Sequence, residues 1–114
     1  MPSNSERGRA LPPPVRRALR QTAENIAGWR KLRGLTQAQL ADRSGVSRET
    51  LIRLEHGDGG VKIENLLRVL RALGVLDGLG RALDPYESDV GRLRADEQLP
   101  QRVRPRRLTG GKDG

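Results

Sequence analysis

Apolar positions along the chain fall into helix-spaced blocks, and glycines separate them. Val15, Leu19, Ala23, Ile26, Trp29 (or Arg30) and Leu32 recur at three- and four-residue steps, the period of one helix face. They predict a first helix over 15–33, with Pro14 suited to its first turn and Gly34 closing it. Leu40 and Ala41 mark the inner side of a second helix over 37–44, with Thr36 as N-cap and Gln39 in the capping-box position. Gly45 supplies the turn, and Ser47 caps a third helix over 48–56 whose stripe is Val46, Leu51 and Leu54. Gly57 stops that helix, and 58–60 (Asp-Gly-Gly) reads as a flexible link. A fourth helix over 63–73 carries Ile63, Leu66, Leu67, Leu70 and Leu73 on one face, and Gly74 ends it. "VLDGLGRAL" predicts a weaker fifth helix, because Gly78 and Gly80 each cost about 1 kcal/mol relative to Ala.

The resulting class is all-α, with three segments. Residues 1–13 are rich in Ser, Arg, Gly and Pro and bury too little to order themselves. Residues 14–83 form the helical domain. Asp84-Pro85 breaks the pattern, and 84–114 is a mixed-charge tail expected to be largely disordered, acidic over 84–98 and basic over 100–107.

Composition narrows the picture. A chain of 114 residues holds one domain with tails. With no Phe and one each of Trp and Tyr, its core must come from Leu, Val, Ile and Ala. The net charge of +8 points to a polyanionic partner, most simply nucleic acid, or else to a solvated, self-repelling surface. The absence of cysteine rules out a disulfide framework and thiolate zinc sites and suits a reducing cytoplasm. No apolar run has membrane-spanning length, and the N-terminus shows no signal-peptide core; a cytoplasmic, nucleoid-associated protein is expected. His56 is the single histidine, so no metal cluster forms around it, and its place at a helix end suits the dipole. Nothing in the spacing assembles a nucleophile with a base, and neither catalysis nor a cofactor is expected.

Two helices joined through a glycine turn, with small Ala41 facing the joint, meet the demands of a helix-turn-helix unit. Pattern alone leaves an αα-hairpin without a DNA role open. "GLTQAQLADRSGVSRETLIRLEHG" closely resembles the lambda repressor and Cro-type helix-turn-helix proteins, the XRE family, through Gly34, Leu35, Thr36, Gln37, Leu40, Ala41, Gly45, Val46, Ser47, Leu51, Glu55 and Gly57. "LLRVLRALGV" resembles that family's fourth helix, so the likeness spans about 26–75. It implies a five-helix, lambda repressor-like domain that docks its second and third helices on duplex DNA.

The resemblance also implies roles. The third helix enters the major groove with its N-terminal end, aiming Arg48, Glu49, Ile52 and Arg53 at base edges. Arg48 suits guanine O6 and N7, Glu49 suits cytosine N4, and Ile52 suits a thymine methyl. Alternatively, Glu49 forms a salt bridge with Arg48 or Arg53, and Ile52 is simply poorly buried. Gln37, Ser47 and Lys62 are expected at phosphates, Gln37 while steering Arg48 and Ser47 chiefly as a cap; Lys62 stands where the family often has a Ser cap. Arg30 and Glu55 take the positions of a partly buried structural ion pair. Trp29 is expected to pack in the core.

Two functions follow as expectations. The first is a homodimeric transcriptional repressor, with Leu76, Leu79, Ala82 and Leu83 at the dimer interface because they otherwise leave an apolar patch exposed. The second is a DNA-binding antitoxin, since the 63–83 segment and tail also look like HipB-like antitoxins that hold a kinase-like toxin protein. In that case Tyr86, Val90, Leu93, Leu99 and Val103 anchor the toxin; otherwise the tail is a basic arm on flanking phosphates or has no defined role. A purely structural adaptor explains the helices but not the cationic cluster on the third.

Overall fold

The computed structural model describes residues 10–99, which contain helices and turns and no strand. Helix α1 is Pro13–Leu32, α2 is Gln37–Ser44, α3 is Arg48–Glu55, α4 is Ile63–Leu73 and α5 is Leu76–Leu83. A 3₁₀ turn, Pro85–Glu87, precedes a sixth helix, α6, Asp89–Gln98. The chain divides between Leu76 and Asp77 into two compact units. Residues 1–9 of the expected N-terminal disordered segment, and the basic stretch with Val103 and the chain end, lie outside the described residues.

In the first unit α2 packs against both α3 and α4, while α1 packs across α3. The shared core is Ile26, Leu35, Leu40, Ala41, Leu51, Leu54, Val69 and Leu73, with Val46, Val61, Leu66 and Leu70 packed around it. Leu40, Leu51, Val69 and Leu73 are wholly buried; each such aliphatic side chain contributes about 1.5–3 kcal/mol relative to exposure. Ser44, a buried polar residue, is satisfied within its own helix, its Oγ donating to the Leu40 carbonyl at 2.7 Å.

Several apolar residues assigned inward by spacing lie outward. Trp29 is 40% exposed and Leu32 79% exposed. The α1 stripe runs through Ala23, Ile26 and Arg30, which leaves Trp29 on the flank with the Arg33 guanidinium 5.3 Å above its ring, a cation–π contact. Val15 is exposed as well. On α4 the innermost residues are Val69 and Leu73, whereas Ile63 is 69% exposed. Seven apolar positions on that helix make a face wider than the core, and period alone does not choose its edge. Helix α1 also starts two residues before the expected position. The Pro12 carbonyl accepts from Val15 and Arg16 N–H at 2.9 and 3.1 Å, and Pro13 and Pro14 need no donor in the first turn.

In the second unit Asp89–Gln98 is helical, within the tail expected to be largely disordered. Asp84 caps the 3₁₀ turn by accepting from Tyr86 N–H at 2.9 Å, and Ser88 caps α6 by accepting from Gly91 N–H at 2.9 Å. Arg92 ties the two together, donating to the Tyr86 carbonyl at 2.8 Å and pairing with Asp89. The approach is close enough to require glycine at position 91, where a Cβ would sit 2.1 Å from the Pro85 carbonyl oxygen. Gly91→Ala is therefore expected to cost about 1–3 kcal/mol locally; amide hydrogen exchange of α6 should accelerate while the first unit keeps its protection.

Candidate nucleic-acid interface

The elbow between α2 and α3 is built by reciprocal caps and one left-handed residue. Thr36 Oγ1 accepts from Gln39 N–H at 3.0 Å, and Gln39 Oε1 accepts from Thr36 N–H at 2.8 Å, so two orphan donors of the helix start are satisfied. Gly45 then adopts φ 73°, and the next residue, Val46, donates back to the Ala41 carbonyl at 3.1 Å. A side chain at 45 would meet only Arg68 Nη1, at 3.4 Å; backbone conformation, not space, demands the glycine. Ser47 Oγ accepts from Thr50 N–H at 3.0 Å and donates to Thr50 Oγ1 at 2.9 Å. Its hydroxyl is thus committed to capping α3.

The far end of α3 is fixed by a partly buried polar node. Arg30 Nε donates to Glu55 Oε2 at 2.7 Å, and Arg30 Nη2 to Oε1 at 3.0 Å. Arg30 Nη1 donates to the Leu35 carbonyl at 3.0 Å, and Gln37 Nε2 donates to Glu55 Oε1 at 3.0 Å. The two charged side chains are only 13% and 6% exposed. This two-pronged arginine–carboxylate geometry fixes orientation as well as distance. Gln37 keeps a second amide N–H beyond the one given to Glu55.

With one end capped and the other bolted, α3 turns its polar side chains outward. Arg48 and Glu49 are exposed, Ile52 is half-buried, and Arg53 is exposed. Neither Arg48 nor Glu49 forms a hydrogen bond or ion pair with a described residue, and the alternative salt bridges for Glu49 are absent. Arg53 differs: its Nε donates to Asp58 Oδ2 at 2.7 Å, and Gly60 N–H donates to Asp58 Oδ1 at 2.7 Å. The hydrogen bond from Arg53, followed by that from Gly60, holds the Asp58 carboxyl below its ordinary range. The same bond raises the Arg53 guanidinium, with Asp58 charge and a smaller Glu49 field adding to it. Asp58 is the partner that spacing missed, although an Asp-Gly-Gly run after a helix is a known turn-forming signal.

Lys62 is exposed at the N-cap of α4 and makes no side-chain cap bond. Leu76 and Leu79 are half-buried, while Ala82 and Leu83 are exposed. Among the described residues there is no group of acidic, histidine or cysteine side chains that could hold a metal, and no helix long and apolar enough to cross a membrane.

A helix-turn-helix family model covers residues 26–76. The cryptic phage CTXphi transcriptional repressor RstR of Vibrio cholerae serotype O1 is 37% identical over 81 residues, 68% of this chain and 72% of that protein. The chain belongs to the XRE-type helix-turn-helix family of DNA-binding transcriptional regulators. A second relative, an uncharacterized HTH-type transcriptional regulator of Methanothermobacter thermautotrophicus, is 49% identical over 49 residues, 43% of this chain and 71% of that protein. No solved structure matches. In this helix-turn-helix chain the Arg30–Glu55 pair joins the first helix to the third, so removing one partner strands a charge. Glu55→Ala should destabilise the fold by about 3 kcal/mol, read as a lower urea midpoint with an unchanged m-value.

Proposed function

We propose that the protein is a sequence-specific repressor that binds duplex DNA as a homodimer, with α3 in the major groove. The observation that carries this reading is the state of Arg48 and Glu49. Both are exposed and without a partner among the described residues, on the first turn of a helix whose last turn is held by Arg30 and Gln37 through Glu55. Arg48 takes a guanine, Glu49 a cytosine amino group and Ile52 a thymine methyl, with Arg53 beside them. The free amide N–H of Gln37 and the ammonium of Lys62 take phosphates; Ser47 contributes chiefly by capping. The repressor assignment is supported by the name of the Vibrio cholerae relative.

A single helix reads few base pairs, and two-fold pairing doubles the site at half-sites about one turn apart. Leu76, Leu79, Ala82 and Leu83 form the pairing surface in this reading, supported by the exposed Ala82 and Leu83. A second reading, a HipB-like antitoxin that also holds a kinase-like toxin, draws support from Val90, Leu93 and Leu99, which are exposed on and just after α6.

Arg48→Ala is expected to cost about 1–3 kcal/mol on a duplex selected from a random pool and to relax one base position. Lys62→Ala should weaken all duplexes alike. Titration of wild-type affinity against salt should give a log–log slope of about −5 to −9 if the dimer neutralises roughly six to ten phosphates; a flat response would exclude the groove reading. Deleting 84–114 separates the two functions. Loss of a co-expressed toxin with intact duplex affinity supports the antitoxin, whereas loss of duplex affinity assigns the tail to flanking phosphates.

A further inference from the structure

We infer that the Asp58–Gly60 turn is a positioning device that holds Arg53 in a DNA-reading geometry, with Asp58 acting through the arginine and not on DNA itself. This rests on the placement of α3 in the groove. The segment looks like a featureless link in sequence, yet every polar atom of the Asp58 carboxylate has a defined partner. Oδ2 takes Arg53 Nε, and Oδ1 takes the Gly60 N–H, both at 2.7 Å. Gly60 is part of the device: a Cβ there would stand 3.2 Å from Asp58 Oδ1 and 3.5 Å from Arg53 Nη2. A side chain there would crowd the carboxylate and touch the guanidinium.

What the contact leaves free is as informative as what it uses. Arg53 binds Asp58 through Nε, and no bond from either terminal nitrogen to a described residue is present. The outer edge of the guanidinium, a planar pair of donors, therefore stays available. That edge fits a pair of acceptors, either O6 and N7 of guanine or two oxygens of one phosphate. An arginine loses much rotamer freedom when it is immobilised on binding. Here the loss is taken during folding, and the side chain is held by a carboxylate whose own geometry is fixed by backbone. The surface exposure of both partners, 45% and 40%, makes the pair a poor stabiliser of the fold. A negative charge beside a DNA-facing helix also opposes binding in general, so Asp58 trades non-specific attraction for orientation.

The test is a double-mutant cycle on the full chain, measured by anisotropy with the selected duplex and an unrelated duplex. Asp58→Ala should weaken the selected duplex about two- to tenfold, even though it removes a negative charge; the response of the unrelated duplex tells which acceptor pair Arg53 meets. In an Arg53→Ala background the same change should no longer weaken the selected duplex. Asp58→Asn, whose single amide oxygen cannot accept from both Gly60 N–H and Arg53 Nε–H, should recover little of the loss; a role confined to the turn would be rescued by it and would not track Arg53. Loss of discrimination at one base position assigns the acceptor pair to guanine. Equal loss on both duplexes, abolished by Arg53→Ala and accompanied by a salt slope shallower by about one, assigns it to phosphate. Tighter binding of both duplexes by Asp58→Ala, with or without Arg53, overturns the inference by making Asp58 a repulsive charge only. Arg48→Ala serves as the independent control. If it leaves selected-duplex affinity unchanged, the groove placement itself fails; if it weakens binding while the Asp58 and Arg53 effects simply add, the positioning role alone fails.

Discussion

The Arg30–Glu55 contact fixes how α3 is presented by the first unit. Its two short bonds, the Gln37 bond to the same carboxylate and the Arg30 bond to the Leu35 carbonyl join α1, the start of α2 and the last turn of α3. A buried ion pair of this kind contributes little net stability over an apolar substitute of similar shape, because desolvation offsets attraction. Its effect is directional. Leucine packing tolerates rotation of a helix about its axis, whereas a fork of donors meeting two oxygens does not. With α3 fixed at Glu55 and capped at Ser47, the direction of Arg48 is a consequence of the scaffold.

Arg30, Arg48 and Arg53 consequently occupy three different physical states. Arg30 is desolvated and paired, and serves the fold. Arg48 is solvated and without a partner among the described residues. Arg53 lies between, half-exposed and held by Asp58. A formal charge of +8 does not distinguish these states, although they differ in what they can offer to a polyanion. The free charge attracts at range, the held charge has its orientation limited, and the buried charge contributes a scaffold. Net charge thus describes attraction, while side-chain partners decide recognition.

The sequence was legible wherever local chemistry has one solution. Thr36 with Gln39, Ser47 before α3 and Gly45 at φ 73° are short-range requirements, and they set the elbow without reference to the rest of the chain. Only family resemblance points to the ion pair between Arg30 and Glu55, since residues 25 apart carry no local signal of contact. Trp29, Leu32 and Ile63 were misplaced because helical period defines a face broader than the core. Hydrophobic period does not reveal the sixth helix, because its apolar content is low; its signals are the Ser88 cap and the Gly91 approach to Pro85.

The amino-acid order alone thus determined an all-helical chain, the ends of its central helices and the unit that joins α2 to α3, because caps, glycines and hydrophobic period act within a few residues. Tertiary structure decided which edge of each apolar face became core and which arginine was buried, held or free. Those outcomes depend on the partner that each side chain meets across the fold. Asp58 has one meaning as a loop residue and another once α3 brings Arg53 within 2.7 Å of it.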